Sequence, residues 1–134
     1  MNGKGPDNLP KQERLRGKKA IETLLAKGRH GSAGPIRYIH TSDNGEERSR
    51  ILISVPKKLF KRAVKRNLLK RRIRESWRRL KHNLIASEHG TDILFIYSTK
   101  EIMSYQEIYS HIETITNRLN EKRTKQLKNE TVSE

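Results

Sequence analysis

The chain contains no cysteine. Disulfide staples and thiolate chemistry are therefore excluded, and the absence fits a reducing, cytoplasmic compartment. Long apolar runs are also missing. The longest, Ile93–Tyr97, falls far short of the roughly 20 residues a membrane-spanning helix requires, and the N-terminus has no apolar stretch of signal-peptide type. A basic helix lies on lipid only when a broad apolar face is exposed beside its charge; here the apolar residues are needed for a core, so no membrane partner is expected. Aromatic residues make up only 5% of the chain. The five histidines, His30, His40, His82, His89 and His111, are scattered without metal-ligand spacing. The acids form no paired-carboxylate constellation, and Asp43, Glu46 and Glu47 read as solubilising turn residues. Neither a catalytic residue nor a metal ligand is assigned.

What the chain has instead is positive charge. Thirty Lys and Arg face fifteen acids, for a formal +15. The segment Lys57–Lys81 holds thirteen of those cations and a single acid, Glu75, and so carries +12. On one helix such a density repels itself, at a few tenths of a kcal/mol for each like pair one turn apart. A polyanion opposite turns that repulsion into attraction, which points to nucleic acid. With six or more cations engaged, affinity should fall by roughly a thousandfold between 50 and 200 mM salt. Homeodomain, zinc-finger and basic-zipper patterns are absent. The excess of Arg suits structured phosphate backbones, so RNA is the expected ligand.

The 134 residues suit one domain. Residues 1–8 and 122–134 read as polar tails, leaving 9–121 as the folded RNA-binding unit. Lys18–Lys27 reads as a helix with Ile21, Leu24 and Leu25 on one face and Gly28 as its stop; a basic extended arm precedes it. Pro35–Thr41 reads as a strand with Ile36, Tyr38 and His40 on one side. Arg50–Val55 reads as its hairpin partner across Asp43-Asn44-Gly45-Glu46. Lys61–Leu84 reads as a long helix. Its apolar stripe is Leu69, Ile73, Trp77, Leu80 and Leu84, and a cationic stripe, Arg66, Lys70, Arg74, Arg78 and Lys81, runs beside it. Asp92–Tyr97 is apolar throughout, as in a strand covered on both faces. Ser104-Tyr105-Gln106-Glu107 has the capping-box pattern and opens a last helix buried through Tyr105, Ile108, Ile112, Ile115 and Leu119. The class is α+β, a two-layer α/β sandwich with its helices on one side of a small sheet.

The string Ala63-Val64-Lys65-Arg66-Asn67-Leu68-Leu69-Lys70-Arg71-Arg72-Ile73-Arg74-Glu75 resembles the signature of the bacterial ribonuclease P protein subunit, R-N-R-x-K-R-x-x-R-E behind an Ala-Val pair. Counting that pair as one position, seven of eight match, and Leu68 stands where the family has Arg. Leu9-Pro10 with Arg14-Leu15-Arg16, Ser54-Val55-Pro56-Lys57-Lys58, the Asp92–Tyr97 strand and the Ser104-Tyr105 helix start are similar as well, so the likeness runs from Leu9 to Leu119.

This resemblance implies the order αβββαβα with a left-handed βαβ crossover. It implies a monomeric accessory subunit for a catalytic RNA that removes the 5′ leader of precursor tRNA, with Mg²⁺ held mainly by that RNA. It places RNA-subunit contacts at Arg62, Lys65, Arg66, Asn67, Lys70, Arg71 and Arg74. It places the leader in a cleft between the first helix and the sheet, at Ile21, Ile36, Tyr38 and Ser54, with Lys57 and Lys58 at its edge. Ile21 and Leu25 occupy positions that are usually aromatic in the family. Without the resemblance, a non-enzymatic RNA-binding module, such as a ribosomal protein or an RNA chaperone, fits the same residues.

Overall fold

The structure is a computed structural model that describes residues 9–42, 44–45, 48–84 and 90–132, with side chains in the last helix described as far as Glu121. The elements are α1 (Lys18–Lys27), β1 (Arg29–Ala33), β2 (Ile36–Thr41), β3 (Arg50–Ser54), α2 (Ala63–Leu80), β4 (Asp92–Tyr97) and α3 (Tyr105–Val132), in the order αβββαβα. Strand β1 escapes sequence periodicity because Arg-His-Gly-Ser-Ala buries only Ala33. It turns into β2 at Gly34-Pro35. Gly34 sits at φ 58, and a Cβ there would fall 2.4 Å from the His111 ring.

The sheet order is β1-β2-β4-β3. Strand β4 therefore separates β2 from β3, and the predicted β2–β3 hairpin does not form. β4 pairs antiparallel with β2 and parallel with β3, so β3-α2-β4 is a parallel βαβ unit. Of the predicted turn, Asp43 and Glu46 lie outside the described residues. The N-terminal arm wraps the outer edge of β3. The Leu15 amide donates to the Ile51 carbonyl at 2.8 Å. Leu9 is buried in the core on one sheet face and Leu15 in the core on the other. A 3₁₀ turn at Lys11–Glu13 interrupts this arm, which the sequence predicts as simply extended.

Those two cores organise the molecule. The larger lies beneath α2 and α3: Leu69, Ile73, Trp77, Leu80, Ile108, Ile112 and Ile115 pack on Ile36, Tyr38, Ile51, Ile93, Phe95 and Tyr97. Each such aliphatic or aromatic side chain contributes about 1.5–3 kcal/mol when fully buried. The smaller joins Leu15 and Leu24 to Ile39 and Leu94. Helix α1 thus covers the opposite sheet face, rather than sharing a layer with α2 and α3, because β2 and β4 carry apolar residues on both faces. The capping box forms as predicted, with the Glu107 amide donating to Ser104 Oγ at 3.2 Å and the Ser104 amide to Glu107 Oε1 at 3.2 Å. Helix α3 continues to Val132, past the start of the predicted tail, since no Gly or Pro interrupts it.

Tyr97 fastens α3 to the sheet. Its hydroxyl donates to the Glu101 carbonyl and accepts the Met103 amide, the latter at 2.9 Å. Burial pushes its phenol above the ordinary range, so the proton stays where the donation needs it. Because the folded value is raised, this contribution is complete below the unfolded phenol pKa and is lost as pH rises through the folded one. Tyr97→Phe should lower stability by about 1–3 kcal/mol, the usual consequence of stranding buried partners, read as a fall in thermal midpoint. An unchanged midpoint would rule out this clasp.

Candidate nucleic-acid interface

Helix α2 is built by two incompatible demands. Leu69, Ile73, Ser76, Trp77 and Leu80 are buried on its inner face. At 100° per residue, the line facing away from them passes through Val64, Asn67, Arg71, Arg74 and Arg78. Val64 is 79% exposed, Asn67 and Arg71 are exposed, and Arg74 and Arg78 are half-buried. The predicted stripe from Arg66 to Arg78 winds from one flank of the helix onto this outward line, because four-residue steps overshoot a full turn. Trp77 is 1% exposed and lies 5.8 Å from the Phe95 ring, so it is core. Leu68 is half-buried, on the flank that also carries Arg72.

Several of the cations are also structural. Arg66 donates to the Phe60 and Lys61 carbonyls at 2.7 and 2.8 Å, which fastens the crossover loop to the helix start. Arg72 donates to the Met103 carbonyl at 2.6 Å and ties α2 to the entry of α3. Lys81 reaches Glu13 at 2.6 Å. Glu75 receives Arg78 at 2.6 Å and Arg79 at 3.0 Å. The Arg78 hydrogen bond, aided by Arg79 and opposed by burial, holds the Glu75 carboxyl below its usual range. That pairing adds stability above the unfolded carboxylate pKa and loses it as pH falls through the lowered one. Arg62, Lys65, Lys57 and Lys58 are exposed and Lys70 is half-buried.

On the other side of the sheet, α1 lies across three rows of side chains set by the strand register. The middle row, Leu52–Leu94–Ile39, is packed beneath it. The row Ser54–Ile96–Arg37 emerges on the flank of α1 that carries Ile21 and Leu25. Ser54, Ile96 and Ile21 are half-buried, Arg37 is exposed, and Leu25 is 51% exposed. The row Arg50–Asp92–Thr41 emerges on the opposite flank, in an open cleft of 720 Å³.

The structure thus brings Ile21 and Ser54 to the same face but not Ile36 and Tyr38. Those two are 0% and 5% exposed beneath α2 and α3, with the Tyr38 ring lying over Gly31. They lie outside the predicted cleft, and Arg37 and Ile96 stand beside Ser54 and Ile21 instead, with Ile39 buried beneath α1. Strand β2 is apolar on both parities, so alternation alone does not tell which set faces α1. The signal was in β4, whose apolar residues on both parities require cover on both faces.

Residues 9–120 match the family model for Ribonuclease P. The chain belongs to that family. It is 41% identical over 78 residues to the ribonuclease P protein component of Porphyromonas gingivalis, covering 57% of this chain and 57% of that protein. With the protein component of Chlorobaculum tepidum it shares 30% identity over 114 residues, 75% of this chain and 73% of the relative. Among solved structures, the RNase P protein from Thermotoga maritima superposes with a TM-score of 0.67 at 26% identity, covering 79% of this chain and 96% of that one. The RNase P protein of Staphylococcus aureus gives 0.67 at 26%, over 78% and 93%. The chain thus spans just over half the length of the Porphyromonas relative. Among the described residues no helix is long and apolar enough to cross a membrane.

Proposed function

We propose that this chain is the protein subunit of ribonuclease P, a cytoplasmic partner of a catalytic RNA in the removal of 5′ leaders from precursor tRNA. The observation that carries the reading is the family match over residues 9–120 together with the outward Asn67–Arg71–Arg74–Arg78 line on α2. That line, with Arg62, Lys65, Arg66 and Lys70 beside it, binds the RNA subunit. The half-open strip of Ile21, Leu25, Ile96, Ser54 and Arg37 takes the single-stranded leader, with Lys57 and Lys58 beyond the end of β3. The strip has no aromatic platform, so leader bases are held by aliphatic contact and by Arg37 rather than by stacking.

Three of the described carboxylates are already paired with cations. Asp92 is committed to Arg50 and Asn44, Glu75 to Arg78 and Arg79, and Glu13 to Lys81. No cluster of three His, Asp or Glu occurs among the described residues. Mg²⁺ on the RNA would supply Lewis-acid activation of the attacking water. One copy of this chain positions the substrate and screens phosphate repulsion.

Reconstitution tests the reading. Added to the RNA subunit at limiting Mg²⁺, the purified protein should accelerate precursor cleavage. It should also favour precursor over mature tRNA by about tenfold, which takes 1.4 kcal/mol of leader contact. Protein alone should cut nothing. No acceleration would leave a general RNA-binding module; cleavage without RNA would place the chemistry on the protein.

A further inference from the structure

The cleft on the Lys19–Lys27 flank of α1 lies across that helix from the strip of Ile21, Leu25, Ile96, Ser54 and Arg37. Lys19, Thr23 and Lys27 recur every four residues and root two lysines about 12 Å apart along the helix axis. Arg29 continues the wall, and Thr41, Arg50 and Asp92 form the floor. Among the described residues, Asp92 is the only carboxylate lining this cleft. Arg50 holds it through two hydrogen bonds of 2.9 and 2.8 Å, and Asn44 donates to it at 2.8 Å. Its charge is therefore neutralised against Arg50 within the floor, at 5% exposure, and the other charged residues described around the opening, Lys19, Lys27 and Arg29, are cations.

Arg50 is shared with a second opening of 550 Å³, lined by Lys11, Arg14, Arg16 and Arg48 along the N-terminal arm. The nearby Glu13 is held by Lys81 at 2.6 Å and faces Arg48 at 3.6 Å. The two openings form one cationic track running from α1 round the β3 edge. A solvated charged face would mix signs; among the described residues this one gathers like charges around a concave path, with hydroxyls from Thr23, Thr41 and Ser42 beside them. Its α1 end lies on the opposite sheet face from α2, so a strand lying on the outward line of α2 does not cover Lys19, Lys27 or Arg29.

We propose that this track is a second phosphate-binding surface. It takes an RNA sugar-phosphate backbone independently of α2, so that one protein bridges two RNA segments. The identity of the RNA, whether the RNA subunit or the precursor tRNA, rests on the function proposed above; the presence of the site does not.

The test uses the full chain and Lys19→Ala/Lys27→Ala/Arg29→Ala. All three side chains are exposed, so the thermal midpoint should hold. The probe is oligouridylate of about ten nucleotides, within the span of a single-strand site, titrated at several salt concentrations. The experiment is done in an Arg71→Ala/Arg74→Ala background, so that α2 contributes little. Losing three phosphate contacts should reduce the salt slope by about 2. An unchanged slope and affinity overturn the proposal, whether or not the protein stimulates cleavage.

In the holoenzyme the same triple variant identifies the source. Weaker assembly with the RNA subunit assigns the track to that RNA. Equal loss of precursor and mature tRNA binding assigns it to the tRNA body, and loss of precursor binding alone assigns it to the leader.

Discussion

Replacing Arg71 and Arg74 together with alanine should weaken binding of the RNA subunit by about a hundredfold near physiological salt, and should reduce the salt slope by about 2. The magnitude follows from two charge-assisted phosphate contacts at about 1.4 kcal/mol each and from about one unit of slope for each phosphate released. Both residues lie on the outward line of α2, opposite the buried Leu69, Ile73 and Trp77. Arg72→Ala is the informative companion. It removes the same charge from the same helix, but its guanidinium donates to the Met103 carbonyl at 2.6 Å. Its loss should appear as a lower thermal midpoint, with most of the salt slope intact. Arg66→Ala should do both, because Arg66 holds the Phe60 and Lys61 carbonyls at the edge of the binding line. Filter binding of each variant across a salt series, beside thermal unfolding, separates these roles. If Arg71→Ala/Arg74→Ala and Arg72→Ala shift the slope equally, position on the helix does not matter and α2 acts only as a diffuse charge.

The helices were legible in the sequence because their signal is local and periodic. α1, α2 and α3 lie where three- and four-residue apolar spacings put them, and the Ser104–Glu107 box forms as written. Pairing was less legible. The Asn44-Gly45 step predicts that the chain reverses, and it does, since β2 runs antiparallel and β3 parallel to β4. A turn signal does not say whether the two strands touch. The apolar DILFIY segment, which buries five of its six residues, takes the place between them, and the connection from β2 to β3 spans two strand spacings, about 10 Å. The order strand, basic helix, apolar strand reads as a β–α–β link, and it forms as β3-α2-β4; the residue register does not read from sequence, because the ladder joins residues some forty positions apart.

The same limit governed the site. The outward cationic line of α2 was readable because charge and core segregate on one helix. The strip proposed for the leader was not, because it depends on which parity of β2 meets α1, and Ile36, Tyr38 and Ile39 offer apolar residues to both faces. The cationic track was hidden for a different reason. Its residues come from the arm, α1, the start of β1 and the strand ends, and only the folded sheet gathers them.

The parity of β2 carries the other large effect. Tyr38→Ala should destabilise the protein by about 3–5 kcal/mol, the usual range for deleting a buried aromatic. The ring is 5% exposed, stacks on His40 at 5.8 Å and lies so close over β1 that a Cβ at Gly31 would fall 2.4 Å from it. At about 3–5 °C per kcal/mol, between the values for smaller and larger domains, the thermal midpoint should drop by roughly 10–25 °C. That consumes much of the 5–15 kcal/mol a small domain possesses. At temperatures where the variant remains folded, its preference for precursor over mature tRNA should be unchanged, because Tyr38 faces α2 and α3 rather than the leader strip. Leu25→Ala should behave in the opposite way. Leu25 is 51% exposed beside Ile21, so its truncation should barely move the midpoint and should selectively weaken precursor binding. A Tyr38→Ala protein that kept its midpoint and lost only precursor affinity would place the ring in the leader strip, and would require β2 to be turned over relative to α1.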